Sequence, residues 1–306
     1  MKRTIRIDRL DFPAASRILV AVALLTTVIT GCSEIEFGGG ATVVPKVTIL
    51  PPDLGGEKAA ASGGLVAATG GASIDAASIG KPGTLTGRVV LVGAASSLPF
   101  MFVKGADIKD KEVCAAVDVP DERLVLGADN GVANVFVYLK KAPNGTPKLV
   151  PGTVPMIFDQ KNCRFLPRCM VVPIGQTVSV LSDDGVAHNT HTNPQKNQGV
   201  SSLVSPNDRV GNLQLVYSRS EDPFSVTCDF HTWMKAYHLP LDHPYGAVTD
   251  ENGNFEIADL PAGEHELVVW HESAKGQYVE RKLKVSVQPG ENPPLEIPYS
   301  VDKLQL

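Results

Sequence analysis

The chain has 306 residues, enough for one or two domains, and 43% of them are hydrophobic, which excludes a wholly disordered protein. Lys and Arg number 28 against 33 Asp and Glu, a net charge of −5 with no basic stretch beyond the first seventeen residues, which argues against a nucleic-acid partner. Only 20% of residues are charged, and 28 Gly with 23 Pro interrupt the chain too often for a long helical bundle or a coiled coil, so a β-rich protein is expected.

At the N-terminus, Lys2, Arg3, Arg6, Arg9 and Arg17 precede an apolar run from Ile18 to Ile29. That run is too short for a permanent bilayer span and suits the apolar core of a signal peptide. It ends in Ile29-Thr30-Gly31-Cys32, which resembles the lipobox of bacterial lipoproteins. The resemblance implies that 1–31 is removed and that Cys32 is lipidated, holding the protein to a membrane in the periplasm or at the cell surface. Ser33 follows where an Asp would retain such a protein at the inner membrane, so the resemblance favours the outer membrane. Removal of 1–31 takes away five positive and two negative charges. The mature chain would then be more acidic, and a basic soluble partner would suit it.

Residues 32–83 are rich in Gly and Ala and show no sustained period, the composition of a tether. A flexible chain of that length has a root-mean-square span of roughly 40 Å. From residue 84 onward, short apolar or alternating runs are separated by turn residues. They predict strands at 85–92, 133–139, 155–158, 170–172, 177–181, 213–217, 224–228, 237–241, 247–249, 254–257, 266–271 and 281–287, with no helix of three turns. Such spacing predicts Greek-key sandwiches, a larger one over 84–245 and a smaller one over 246–306. Asn252-Gly253 predicts a type I′ hairpin with positive φ at both central residues. Gly246 to Phe255, continuing through Leu260-Pro261-Ala262-Gly263 to Trp270, resembles the carboxypeptidase regulatory-like domain, a prealbumin-like β-sandwich also found beside rhamnogalacturonan lyases. In that family the module is structural or adhesive.

The segment Phe224-Ser225-Val226-Thr227-Cys228-Asp229-Phe230-His231-Thr232-Trp233-Met234 sets a thiol, an imidazole and a thioether just beyond a predicted strand. These are the donor types that copper prefers. A further imidazole is offered by His188-Asn189, which follows the predicted strand 177–181. This order, His-Asn and then Cys…His…Met, resembles the cupredoxins over 155–240. The resemblance implies a mononuclear copper centre with His188, Cys228 and His231 as equatorial ligands and Met234 as candidate axial ligand, and the Asn after the first His linking the two ligand loops. Cys228-x2-His231-x2-Met234 is shorter after the His than the loop of most blue copper proteins, which admits a displaced Met234 and red or green copper character. The ending is also similar to the dinuclear loop of cytochrome oxidase subunit II, but that loop has a second Cys, absent here. His191 is an alternative ligand. His238, His243, His265 and His271 could in principle bind a second metal, although buried hydrogen bonding suits them better.

With Cys32 lipidated and Cys228 on metal, Cys114, Cys163 and Cys169 remain, and an exported chain should oxidise a pair. Cys114–Cys163 is favoured from loop context, with Cys163–Cys169 as competitor. Taken together, the chain resembles bacterial exported proteins in which a cupredoxin-like domain precedes a carboxypeptidase regulatory-like module. The expected function is one-electron transfer by a membrane-anchored copper protein, with a basic redox partner such as a c-type cytochrome. The alternative is a surface adhesion or carbohydrate-binding lipoprotein with a structural cupredoxin fold. No enzyme is expected: paired His-x-His, Gly-x-Ser-x-Gly and His-Glu-x-x-His motifs are absent, and Asp183 with Asp184 reads as a turn.

Overall fold

The computed structural model describes residues 81–306, so the signal segment, Cys32 and nearly all of the tether lie outside the described residues. Pro82–Val92 forms β1, in which every second side chain is buried. That alternation is what a pleated strand makes of Leu85, Gly87, Val89 and Leu91 on one face. Then come β2 (Phe100–Phe102), the one-turn helix α1 (Lys111–Cys114), β3 (Val119–Pro120) and β4 (Phe136–Leu139). The middle of the chain carries β5 (Met156–Gln160), β6 (Phe165–Leu166), β7 (Cys169–Pro173), β8 (Thr177–Val180), β9 (His188–Thr192) and β10 (Ser201–Val204). It continues with β11 (Leu213–Val216), β12 (Phe224–Thr227) and β13 (Lys235–Leu241). The remainder forms β14 (Gly246–Val248), β15 (Asn254–Pro261), β16 (Gly263–Trp270), β17 (Tyr278–Val287), β18 (Gly290–Glu291) and β19 (Leu295–Ser300).

These strands make an all-β protein of four main sheets. In the first, β1 lies between β15, antiparallel to it, and β18 and β19, parallel to it. The second runs β14-β4-β16-β17, the third β10-β9-β12-β13-β7 and the fourth β11-β8-β5-β6. Three apolar clusters cement successive sheets. Leu85, Val89 and Leu91 of the first sheet meet Val137, Leu267, Val269 and Val285 of the second. Phe136, Tyr138, Val268 and Trp270 on the opposite face of that second sheet meet Tyr237, Leu239 and Leu241 of the third. Val226, Met170 and Ala236 on the far face of the third sheet meet Phe158, Val178, Val180 and Leu215 of the fourth. Strand β4 and the second half of β16 are thus apolar on both faces because both faces are covered.

This pairing corrects the expected division at 245/246. β1 and β4, assigned from sequence to the larger block, are hydrogen-bonded into the two sheets that hold β14 to β19. In chain order, β5 to β13 are therefore inserted between early and late parts of the other sandwich. Local patterning reveals where strands are but not which distant strand each one pairs with. The expected hairpin at Asn252-Gly253 is corrected as well, because β14 pairs with β4 and β15 with β1. Only Gly253 of the pair has positive φ, at 82°. Gly253 N donates to Asp250 O, and Asp250 Oδ1 accepts from the backbone of Asn252 and Asn254. A side chain at Gly253 would collide with Val89 O and Val132 N, so glycine is needed for space as well as for φ.

An ion pair ties the second and third sheets. Arg168 Nε donates to Glu272 Oε1 at 2.6 Å and Nη2 to Oε2 at 2.9 Å, with Tyr237 Oη donating to Oε2 at 3.2 Å. Arg168 Nη1 also donates to Lys235 O at 3.1 Å. Both charged side chains are less than one-tenth exposed, 7% for Arg168 and 6% for Glu272. Cys169 beside them is a buried free thiol, and burial pushes its pKa well up.

Candidate metal centre

β12 pairs with β9 through Val226–Thr192 and Thr227–His191, which carries the end of β12 to the start of β9. Cys228 therefore arrives beside His188-Asn189. The loop to β13 is short and internally bonded: Met234 N donates to His231 O at 2.8 Å and Cys228 N to Met234 O at 3.3 Å. Asn189 fastens the two segments together. Its backbone N–H points at Cys228 Sγ at 3.5 Å, its Oδ1 accepts from Asp229 N, and its Nδ2 donates to Asp229 Oδ2 at 2.7 Å.

Donor atoms of His188, Cys228 and His231 lie within 4.8 Å of one another, and all three residues are buried. His188 Nδ1 and His231 Nδ1 are 3.0 Å apart, and Cys228 Sγ is 3.7 Å from His231 Nδ1. Each far ring nitrogen meets a carboxylate: His188 Nε2 sits 2.9 Å from Asp184 Oδ2 and His231 Nε2 sits 2.9 Å from Asp110 Oδ2. With both Nε2–H groups donating outward, the two Nδ1 lone pairs face each other, an arrangement that a shared proton or a bound cation must relieve. Carboxylates behind metal-binding imidazoles fix the tautomer and strengthen the donor nitrogen. Burial raises the Cys228 pKa, but its contacts with His188, His231 and Asn189 N outweigh it and bring the thiol down to about 5. Burial works to lower His188, yet the contacts with Asp184 and Cys228 raise it overall. Two imidazoles and a cysteine sulfur, all buried, are a donor set suited to copper.

The remaining residues singled out from sequence fall as follows. Met234 is buried in the same apolar cluster as Cys228. His191 points the other way, with Nδ1 3.0 Å from Asp229 Oδ1, outside the converging trio. His238 contacts Tyr217 Oη at 2.8 Å, His243 Nδ1 accepts from Tyr245 N, His265 donates to Pro261 O and His271 lies near Tyr299 Oη. Among the described residues these four form no donor cluster. Cys114 and Cys163 are joined by a disulfide, and Trp233 Nε1 donates to Cys163 O at 3.2 Å while its ring meets His231 edge-on at 5.2 Å.

Two carboxylates escaped the sequence reading. Asp184 stood there only as a turn residue, although its spacing to His188 was visible. Asp110 precedes α1 with a left-handed φ of 54° and reaches His231 from a segment 121 positions away, for which the sequence carries no signal. Asp184 also accepts from Asn162 N at 2.6 Å and Cys163 N at 2.8 Å, so it anchors the turn as well as the imidazole. Asp184→Asn keeps the shape and weakens the charge-assisted bond. Copper affinity should fall about 10- to 100-fold, as read by competition with a chelator of known affinity. A change under twofold would mean that Asp184 serves the turn alone.

No described protein family matches the chain, and no curated protein does. Solved structures that are similar include the copper-containing nitrite reductase of Thermus scotoductus SA-01, at 16% identity and TM-score 0.26, over 33% of this chain and 25% of that one. A purple cupredoxin from Nitrosopumilus maritimus matches at 20% identity and TM-score 0.24, over 28% of this chain and 99% of that one. The P52G mutant of amicyanin matches at 14% identity and TM-score 0.24, over 28% of this chain and 82% of that one. The chain thus spans a quarter of the length of the nitrite reductase. The likeness covers a third of this chain or less, and the reading of the site rests on its own atoms. Among the described residues no helix is long and apolar enough to cross a membrane.

Proposed function

We propose that the chain is an exported, membrane-anchored mononuclear copper protein that carries single electrons. Its ligands are His188, Cys228 and His231, with Met234 as the axial candidate, and its lipid anchor is Cys32. The observation that carries this reading is the convergence of two imidazole Nδ1 atoms and a buried cysteine sulfur, each imidazole backed by a carboxylate. Copper held there supplies a one-electron couple between its two oxidation states. The protein's part is to hold the donors still. Asp184 and Asp110 fix the ring planes, Asn189 fixes the loop, and burial of all three donors keeps water from adding a ligand. A fixed donor set reorganises little when the metal charge changes, and the tether expected over 32–83 would let the body meet a basic redox partner.

Copper(II) added to the full chain should bind at one equivalent and give an intense thiolate-to-copper band with a matching EPR signal. Cys228→Ala should abolish the band, and its position in the wild type reports whether Met234 is axial. Absence of tight copper, or binding indifferent to Cys228, would overturn the electron-transfer reading in favour of adhesion.

A further inference from the structure

We propose that the Cys114–Cys163 pair, once reduced, forms with His231 a second metal site that takes Cu(I). Donor atoms of Cys114, Cys163 and His231 lie within 4.8 Å of one another, and none of the three residues is exposed. The sulfur of Cys163 is likewise within 4.8 Å of donor atoms of Asp184 and His188. The disulfide therefore borders the site already described. His231 belongs to both trios. Two thiolates and one imidazole make a soft set of low coordination number, which selects Cu(I) over harder divalent ions.

The oxidation state of the pair decides whether this site exists. As a disulfide, neither sulfur carries the negative charge that metal ligation needs. A small thiol reductant changes that: the S–S bond takes up two electrons and two protons, and two reductant thiols leave joined as their own disulfide. Binding of Cu(I) then displaces the Cys114 and Cys163 protons to water. Both sulfurs sit on short, locally built segments. Cys114 ends the single turn α1, whose Lys111 and Glu112 are exposed, and Cys163 lies in a turn with φ of 52° closed by Lys161 and Arg164 backbone bonds. Each sulfur can thus shift the short distance from bonded partner to co-ligand without moving a sheet. The inference does not rest on electron transfer through the first site: where His231 is engaged there, the two thiolates of Cys114 and Cys163 alone make a two-coordinate site for Cu(I).

The test is anaerobic Cu(I) titration of the full chain against bicinchoninate, whose Cu(I) complex is coloured, before and after reduction by a phosphine that is then removed. The reduced wild type should hold one more Cu(I) per chain than the oxidised protein. Cys228→Ala should keep that gain, with two sulfurs per copper by X-ray absorption, whereas Cys114→Ser/Cys163→Ser should show none. The proposal is overturned if the reduced chain, with two additional titratable thiols, takes up no more Cu(I), or if the double variant gains as much. Loss of the β circular dichroism on reduction would also overturn it, since the site presupposes the folded loops. Failure of the first site reads differently: oxidised wild type then binds no Cu(I) while the gain on reduction persists.

Discussion

Replacing Glu272 by Ala should destabilise the protein by about 3–5 kcal/mol, the cost of leaving a buried charge without its partner. Arg168 has no comparable alternative, since its other acidic neighbour, Glu122, lies at 3.5 Å and contacts a single guanidinium nitrogen, while Glu272 engages two. The loss should appear as a lower urea midpoint with an unchanged slope, because the surface exposed on unfolding is the same. Arg168→Met/Glu272→Leu should recover much of the stability, since two apolar groups remove the orphaned charge. A Glu272→Ala protein within 1 kcal/mol of wild type would mean that water reaches Arg168 and that the pair is not the seam it resembles.

Acid should weaken the fold well above the range in which carboxylates titrate. Burial alone pushes His238 down to about 3, and burial together with the nearby Arg168 charge does the same to His271. Neither has a partner for Nε2. In the unfolded chain both return to about 6.5. Between those values the unfolded state binds protons that the folded state refuses, so stability falls as pH falls through 6.5 towards 3. From pH 7 to pH 5 each imidazole should cost roughly 2 kcal/mol on this basis. His188, raised overall, works in the opposite sense and offsets part of the loss. Urea midpoints at pH 7 and pH 5 measure the net effect, and His238→Phe should remove roughly 2 kcal/mol of the acid sensitivity. A pH-independent midpoint across that interval would refute the assignment.

How much of this was legible depended on the kind of interaction. Alternation announced β1 and β17, where apolar and polar residues take turns along strands with one wet face. It was silent for β9, whose His188-Asn189-Thr190-His191-Thr192 is polar throughout and yet mostly buried, because His188, Asn189 and Thr192 offset their desolvation with specific hydrogen bonds, while the Thr190 hydroxyl has no partner. It was also silent for β19, where no strand was expected; Pro298 within it is exposed, and β19 pairs with β1. The convergence of His188, Cys228 and His231 could be anticipated because imidazole and thiol donors are few residue kinds and stand in a recognisable order. The carboxylates behind them could not, since an Asp in a loop resembles any turn residue until the fold brings it to an imidazole. Sheet membership failed for the same reason at larger scale: nothing local in Leu85–Val92 says that its neighbours follow residue 253.

That long wait has a consequence during synthesis. Gly87 of β1 is registered against Phe255 and Leu295, so the strand emerges from the ribosome long before either neighbour exists. At about 5–20 residues per second the interval is on the order of ten seconds or more. Throughout it, a half-apolar strand with both backbone edges open is available for wrong pairing. A nascent chain stalled after β13 should therefore associate with holdase chaperones more than the finished protein does, and chain termination near residue 245 should yield aggregates in place of a folded product.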